Sequence, residues 1–193
     1  EAVGARGDDL TINRTEVAER QDGIIASSAL TLNASTVADN SKDGVRHFGS
    51  AMITDSDLLN NGGDGIEAQG NASVDGSNIS NNGDDGIEAL AQTLEVTDSD
   101  LLNNQVNVVV SSGNASVTDS TLEASSNDGV RVSSGSLSVS GSEILDSGNN
   151  AVDVSSNNVN VSVSDSEINN TNLASIFTPS TLTDTFTLLL DTS

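Results

Sequence analysis

The sequence predicts an all-β solenoid of about eight coils, each 21 to 22 residues long and made of three short parallel strands. Two nearly identical segments show the period, because NNGGDGIEA at 60–68 and NNGDDGIEA at 81–89 place Ile66 and Ile87 21 residues apart. A repeat of this length is typical of solenoids, in which each unit buries its apolar side against its neighbours. No segment keeps helical spacing over the roughly 11 residues that a helix assignment needs.

The first strand of each coil is an alternating triplet such as Ile66-Glu67-Ala68, whose first and third residues should face inward. Its inward column is Val3, Ile24, Val45, Ile66, Ile87, Val108, Val130 and Val152. Its outward column is Gly4, Ile25, Arg46, Glu67, Glu88, Val109, Arg131 and Asp153. His47 follows Arg46, so alternation places it on the inner side of the strand.

The second and third strands repeat with the same period. The inward column of the second strand is Ile12, Leu32, Ile53, Val74, Val96, Val117, Val139 and Val163. The inward column of the third strand is Val17, Val37, Leu58, Ile79, Leu101, Leu122, Ile144 and Ile168. The second-strand outward column mixes Thr, Met, Ser and Glu, which is too irregular for the flat Thr-x-Thr face of an ice-binding solenoid.

Three recurring signals mark the turns. Asn-Asn pairs follow the third strand at 60–61, 81–82, 103–104 and 169–170, and Asp-Gly pairs lie at 22–23, 43–44, 64–65, 85–86 and 128–129. A hydroxyl column precedes the third strand at Thr15, Ser35, Ser56, Ser77, Ser99, Ser120, Ser142 and Ser166. Asn tolerates the left-handed backbone of a sharp bend, and stacked Asn side chains can bond each other from coil to coil.

The composition limits the partners. Acidic residues number 29 against 6 basic ones, for a formal charge of −23. This charge argues against nucleic acid as a partner, since phosphates need a basic surface, and against docking on an anionic membrane. There is no Cys, which leaves the compartment open, and no apolar stretch of about 18 residues that would insert into a membrane.

This pattern resembles the right-handed parallel β-helix of the pectate-lyase-like superfamily over residues 1–170, most closely the passenger-type stalks of bacterial surface proteins. The superfamily also includes polysaccharide lyases and hydrolases, epimerases and phage tailspikes. The resemblance therefore implies the fold without naming one chemistry.

A catalytic interpretation centres on Glu67, Glu88 and Arg46, which should lie one coil apart on the outward side of the first strand, where enzymes of the superfamily often place catalytic groups. Two close carboxylates can share a proton and separate their pKa values, as acid–base catalysis requires. The opposing interpretation is a solvated face with an Arg–Glu pair across coils. The absence of Trp and Tyr, on which sugar rings usually stack, favours the latter.

A calcium interpretation rests on acidic residues at the corner before the third strand and on its outward side, namely Asp55, Asp57, Asp98 and Asp100. Carboxylate oxygens are the ligands that Ca²⁺ prefers. The expectation is loose surface binding of divalent cations, and no other cofactor is expected.

Two further motifs are surface candidates. Arg6-Gly7-Asp8 is the tripeptide that integrins read, although Gly7 aligns with the corner glycines Gly49, Gly70, Gly113 and Gly135, so the turn alone accounts for it. Glycosylation sequons occur at Asn13, Asn33, Asn71, Asn78, Asn114, Asn160 and Asn169. Three of these, Asn33, Asn71 and Asn114, lie beside strand residues and are candidates for inaccessible sites.

The favoured function is a non-catalytic structural or adhesive β-helix, such as a stalk, adhesin or filament segment, that is extracellular or on the cell surface. Expected partners are flanking coils, end-to-end subunits, and glycans or proteins of a host or cell surface. The alternative is a polysaccharide lyase, hydrolase or epimerase that uses the first-strand carboxylates.

Residues 1–170 are expected to form the coils, and 171–193 an irregular coil with an insertion that continues into the next coil. Both ends fall inside the repeat, so we expect the chain to be a segment of a longer solenoid. A bare solenoid end exposes unpaired backbone groups and an open apolar core, which favours further coils, caps or stacked subunits.

Overall fold

The computed structural model describes residues 3–90, 92–156, 159–169 and 174–177, and these form strands and turns with no helix. In chain order the strands are β1 (Val3–Asn13), β2 (Glu16–Ala18), β3 (Asp22–Asn33), β4 (Thr36–Ala38), β5 (Val45–His47), β6 (Ser50–Thr54), β7 (Asp57–Leu59), β8 (Ile66–Ala68), β9 (Ala72–Asp75), β10 (Asn78–Ser80), β11 (Ile87–Ala89), β12 (Thr93–Thr97), β13 (Asp100–Leu102), β14 (Val108–Val110), β15 (Asn114–Thr118), β16 (Thr121–Glu123), β17 (Val130–Val132), β18 (Gly135–Ser140), β19 (Glu143–Leu145), β20 (Asn150–Val154), β21 (Val159–Ser164), β22 (Glu167–Asn169) and β23 (Ala174–Phe177).

The strands stack in parallel as a solenoid with three faces. The third-strand face is an eight-stranded sheet in the order β2-β4-β7-β10-β13-β16-β19-β22. The first-strand face (β5, β8, β11, β14, β17, β20, β23) and the second-strand face (β6, β9, β12, β15, β18, β21) join into one 15-stranded sheet, because β1 and β3 each run through both. We number the coils 1 to 8 from the strands that begin them: β1, β3, β5, β8, β11, β14, β17 and β20.

The predicted register is confirmed for the second and third strands, where every column residue pairs with its predicted neighbour. It is wrong in the first strand of coil 1. Ala5, not Val3, pairs with Ile24, and Arg6, not Gly4, holds the outward position beside Ile25. The offset between coils 1 and 2 is 19 residues up to Gly7 and 20 from Asp9 onward, across an irregularity between those two residues.

The core is a stack of Val, Ile, Leu and Ala side chains. Ile66, Ile79 and Ile87 are fully buried in it, as predicted. Full burial of such a side chain contributes about 1.5–3 kcal/mol relative to exposure. His47 is also buried, as its position in the strand predicted, and its register neighbours Ala26 and Ala68 are small enough to leave room for the ring. Burial lowers the pKa of His47, which favours the neutral ring in the core.

A hydroxyl ladder fills the corner before the third strand. Each serine hydroxyl donates to the carbonyl two residues earlier at 2.7–2.9 Å. Each also accepts the backbone N–H of the ladder residue one coil earlier at 3.1–3.2 Å. The ladder runs from Thr15 to Ser166 and satisfies N–H groups that strand pairing does not reach.

An amide ladder lies at the corner after the third strand. The Nδ2 groups of Asn40, Asn61 and Asn82 each donate to the Oδ1 of the next asparagine at 2.9–3.1 Å, which carries the ladder to Asn104. The residue before each of the four ladder positions has left-handed backbone, as in Asn60 with a φ of 55°. The facing glycines leave space for the amides: a Cβ on Gly65 would lie 2.9 Å from Asn82 Nδ2 and 2.6 Å from Gly86 O.

The amide ladder changes its residues in coil 6. Ser125 stands where the next asparagine would be, and Asn107 stands where the facing glycine would be. Asn107 is fully buried, accepts from Asn104 Nδ2 at 3.0 Å, and donates to the Glu123 carbonyl at 3.2 Å. The larger residue on one side of the corner thus compensates for the smaller one on the other.

Beyond coil 8, β23 adds a rung to the first-strand face by pairing with β20. The predicted irregular coil of 171–193 otherwise lies outside the described residues, as does Asn170 of the last predicted asparagine pair.

A double-mutant cycle tests the compensation in coil 6. Asn107→Gly should destabilise the protein by about 1–3 kcal/mol, because the Asn104 amide loses its buried acceptor. Ser125→Asn alone should also destabilise it, by about 1–3 kcal/mol, because two amides then compete for one space. The combination restores the pattern of the other coils, so the double variant should be more stable than either single variant in urea unfolding. Additive losses would contradict the compensation.

Candidate functional site

The first-strand face brings Arg46, Glu67 and Glu88 side by side, as predicted, because β5, β8 and β11 pair in register. The Arg46 guanidinium donates to Glu67 and to Asp43, and it lies 3.8 Å from Asp22 Oδ1. Arg46 therefore ties together three consecutive coils.

The carboxylates of Glu67 and Glu88 differ in their hydrogen-bond partners. Glu67 Oε1 accepts a second hydrogen bond from Gln69 Nε2 at 2.9 Å. Among the described residues, no hydrogen bond or ion pair reaches the Glu88 carboxylate. Glu88 is thus the one member of the predicted trio that the protein leaves without a charged or hydrogen-bonded partner in that part of the chain.

A second arginine repeats this arrangement in coil 7. Arg131 Nη2 and Nε donate to Asp128 Oδ2 at 2.6 and 3.1 Å, and Nε lies 3.8 Å from Asp153 on the next coil. The tetrapeptide Asp-Gly-Val-Arg occurs at both places, at 43–46 and 128–131. The repeated tetrapeptide was the sequence signal for the Asp43–Arg46 and Asp128–Arg131 pairs, which were not predicted, whereas the Arg46–Glu67 pair across coils was one of the two interpretations.

An acidic ladder runs through the corner before the first strand, at the Asp-Gly pairs interpreted from the sequence only as turns. Asp43, Asp64 and Asp85 each accept, through Oδ1, the backbone N–H of the corner residue one coil on, at 3.1, 2.9 and 3.1 Å. Asp128 bonds Asn150 in the same way at 3.1 Å. The carboxylates therefore have a structural role at the edge of the first-strand face.

Burial and repulsion from neighbouring carboxylates raise the pKa values of Asp64, Asp85 and Glu88. Burial is the main cause in each case, with Coulombic repulsion from neighbouring carboxylates adding to it. The pKa of Asp64 rises to about 7 and that of Asp85 to about 6. The pKa of Glu88 is raised as well, through burial and the nearby charge of Glu67. Near neutral pH the Asp64 carboxyl is therefore partly protonated.

The geometry of this face limits the reactions that it could catalyse. A raised-pKa acid beside an ionised carboxylate is the pairing that acid–base catalysis uses. However, Arg46 already bonds two carboxylates, and two grooves in the described part of the surface lie away from this face. One groove is lined by residues of coil 1 from Gly4 to Arg20, and another by second-strand residues including Ala51, Ser73 and Glu95.

The acidic residues predicted to hold calcium do not come together in one cluster. Asp55 and Asp57 lie two coils from Asp98 and Asp100, with Gly76 and Asn78 at the intervening positions. No group of three or more His, Cys, Asp or Glu side chains placed to hold a metal ion occurs in the described ranges. Asp55 and Asp98 instead have left-handed backbone, with φ of 48° and 47° at the corner before the third strand.

The Arg6-Gly7-Asp8 motif lies within β1, not at a corner as predicted. Gly7 pairs with Ala26, the inward position of the first strand, since coil 1 is shifted relative to the predicted register. Arg6 and Asp8 are exposed. The tripeptide is therefore presented as extended strand.

The sequons differ in accessibility. Asn13, Asn71, Asn114, Asn160 and Asn169 are exposed, whereas Asn33 and Asn78 are half-buried. Asn33 Oδ1 accepts from Thr54 Oγ1 at 3.3 Å, and Asn78 Oδ1 accepts from Ser80 Oγ at 2.7 Å. Of the three strand-flanking sequons predicted as inaccessible candidates, only Asn33 is partly covered.

The acidic ladder predicts the pH dependence of stability. Because Asp64 and Asp85 have pKa values above their ordinary one in the folded state, the native protein binds more protons than the unfolded chain between about pH 4 and 7. Stability contributed by these groups is therefore lost as pH rises through that window. The lowered pKa of His47 acts oppositely, since it destabilises the fold as pH falls below its ordinary value.

Asp64→Asn separates the charge of the carboxylate from its role as a hydrogen-bond acceptor, because the amide keeps an Oδ1 acceptor for the Asp85 N–H and removes the charge. Asn150 stands naturally in the same column. Urea unfolding from pH 5 to 8 should show Asp64→Asn to be more stable than the parent chain at pH 8, with a flatter pH profile. Asp100→Asn, on the exposed third-strand face, is the matched control and should leave the slope unchanged. An unaltered slope in Asp64→Asn would contradict the assignment.

The comparison with known families agrees with this architecture. The described residues contain no helix long and apolar enough to span a bilayer. No curated protein and no solved structure matches the chain. A family described as "Right handed beta helix region" matches residues 3–168. The chain therefore belongs to the right-handed parallel β-helix family.

Proposed function

We propose that this chain is a non-catalytic structural segment, a rigid β-helical spacer or adhesive stalk of an extracellular or cell-surface protein. The observation that carries the proposal is the hydroxyl ladder, which bonds one coil to the next from Thr15 to Ser166 without a break. Eight coils at about 4.8 Å each make a rod of roughly 40 Å, in which side-chain hydrogen bonds at the corner before the third strand add to the backbone hydrogen bonds of the strands.

The arrangement of the charged residues supports the same function. Arg46 and Arg131 pair with carboxylates of their own and neighbouring coils, and these ion pairs link adjacent coils on the first-strand face. The net charge of −23 keeps such a rod soluble and suits a medium rich in salt or divalent cations, where the charges are screened. These features favour an extracellular or surface location.

The mechanical role is tested by pulling on the rod. Ser77→Ala removes a hydroxyl that accepts the Ser56 N–H at 3.1 Å and leaves that buried group unpaired. The loss should cost about 1–3 kcal/mol and lower the unfolding force in single-molecule experiments. Ser73→Ala, on the outward side of β9 in the same coil, is the matched control and should leave the force unchanged. Equal forces for both variants would argue against the ladder as the source of rigidity.

A second candidate is a polysaccharide lyase, hydrolase or epimerase, favoured by one observation: the carboxyls of Asp64 and Glu88 have raised pKa values beside Glu67. In that mechanism Glu88 or Asp64 would be the proton donor, and Glu67 with Arg46 would bind the reacting sugar. Yet Arg46 is already paired, and the acidic surface repels acidic polymers.

Assays of bond cleavage and epimerisation separate the two candidates. We expect no turnover of pectin, alginate or other acidic polysaccharides by the parent chain. Glu88→Gln and Glu67→Gln serve as paired variants, with Glu143→Gln on the third-strand face as control. Activity present in the parent and the control but lost in the paired variants would establish the enzyme and refute the spacer as a complete description.

A further inference from the structure

The second-strand face differs from the rest of the surface in its low charge. Its outward side has three columns, which begin with Asp9, Thr11 and Asn13 in β1 and continue one coil at a time. These columns are dominated by Ser, Thr and Asn, and only Asp9, Asp75 and Glu95 among them are charged. In a chain of net charge −23, a second acidic rod can approach this face with few carboxylates at the contact.

The same face carries a protruding apolar side chain next to a depression. Met52 is 55% exposed in the middle column, and Phe48 is the one other large apolar side chain exposed to a comparable degree in the described residues. In the next coil Ser73 is short, and beyond it stands Glu95. The short residue leaves a groove of about 200 Å³ lined by Ala51, Asn71, Ser73 and Glu95 among others.

We propose that two copies of this chain associate through their second-strand faces, with the rods antiparallel, and that Met52 of each copy fills the groove at Ser73 of the other. A two-fold axis across the face, between coils 3 and 4, brings coil 3 of one copy opposite coil 4 of the other. The contact is self-complementary, as a closed two-fold interface requires.

The charges fit this arrangement and not its parallel counterpart. With coil 3 opposite coil 4, coil 2 lies opposite coil 5 and coil 1 opposite coil 6. Glu95 then faces Thr31 of the second copy, Asp75 faces Thr54, and Asp9 faces Asn114, so each acid meets a neutral polar group. In a parallel dimer Glu95 would face Glu95 and Met52 would face Met52, which sets like charges opposite each other and leaves both grooves empty.

The size of the contact sets the strength to expect. Six overlapping coils at about 4.8 Å and five strand residues at about 3.3 Å give a footprint of roughly 30 by 15 Å. The pair would bury about 900 Å², which lies in the range of weak, transient association. The dimer should therefore form reversibly at high protein concentration. Its formation does not depend on the proposed spacer function.

Crosslinking tests the geometry directly, because the chain has no Cys of its own. Thr11→Cys and Ser116→Cys variants are mixed in equal amounts and treated with a short bismaleimide. The antiparallel dimer places Thr11 opposite Ser116 of the other copy at about 10 Å, whereas two Thr11 positions are about 24 Å apart along the rod. The mixed product should exceed either symmetric product at least tenfold. A dominant Thr11–Thr11 product would show parallel packing and overturn the proposal.

Two controls exclude random collision. Thr121→Cys lies in coil 6 on the third-strand face, and its yield with Thr11→Cys should be at least tenfold lower than that of Ser116→Cys. In sedimentation of the cysteine-free chain, Met52→Glu should abolish concentration-dependent association. Ser138→Glu, in coil 7 of the same column and outside the overlap, should not. Equal yields on both faces, or a parent chain that stays monomeric at millimolar concentration, would refute the dimer.

Discussion

The fold depends on the hydrogen bonds of its corners. Parallel strands satisfy their own backbone groups by stacking, but every turn leaves N–H groups that no strand reaches, and leaving one of them buried and unpaired would cost about 1–3 kcal/mol. Here side chains fill that need, with serine hydroxyls before the third strand, asparagine amides after it and aspartate carboxylates before the first. Because each such side chain must lie directly over its counterpart one coil away, the corners keep the coils in register even where the spacing departs from 21 or 22 residues, as between Thr15 and Ser35 and between Ser142 and Ser166.

This requirement also decides which irregularities the rod tolerates. In coil 6 the loss of an asparagine at Ser125 is met by the gain of Asn107 across the same corner, so the bonding continues although the residues change. Carboxylates are a costlier choice for a corner than amides, since stacking Asp43, Asp64 and Asp85 concentrates negative charge in a half-buried line. Arg46 offsets part of that charge at one end, while burial, with added repulsion from neighbouring carboxylates, raises the pKa of Asp64.

The sequence was enough to predict the period, the three strands and the two ladders built from Ser and Asn, because identical residues recur at a fixed spacing and stack only in register. It was not enough in coil 1, where β1 runs straight through two faces and the offset falls to 19 residues, so that Val3 and Gly7 were misplaced. The pairing of Asn107 with Ser125 was not predicted because it breaks two columns at once, the glycine column at Asn107 and the asparagine column at Ser125. Of the candidate site, the adjacency of Arg46, Glu67 and Glu88 followed from the period. The roles of Asp43 and Asp64 did not, because a turn aspartate looks the same in sequence whether its oxygens face water or a backbone N–H.

The separation between inner and outer residues explains how one rod can have three different faces. Inner columns and corner ladders must repeat, whereas each outward position contacts solvent and only its neighbours above and below. On its outward side the first-strand face carries arginine–carboxylate pairs. The third-strand face carries exposed acids such as Glu16, Asp57 and Glu143, and the second-strand face carries mainly neutral hydroxyls and amides. Since few of the acidic residues lie on the second-strand face, repulsion between copies is anisotropic, and this face is where one acidic rod can contact another with few carboxylates at the interface.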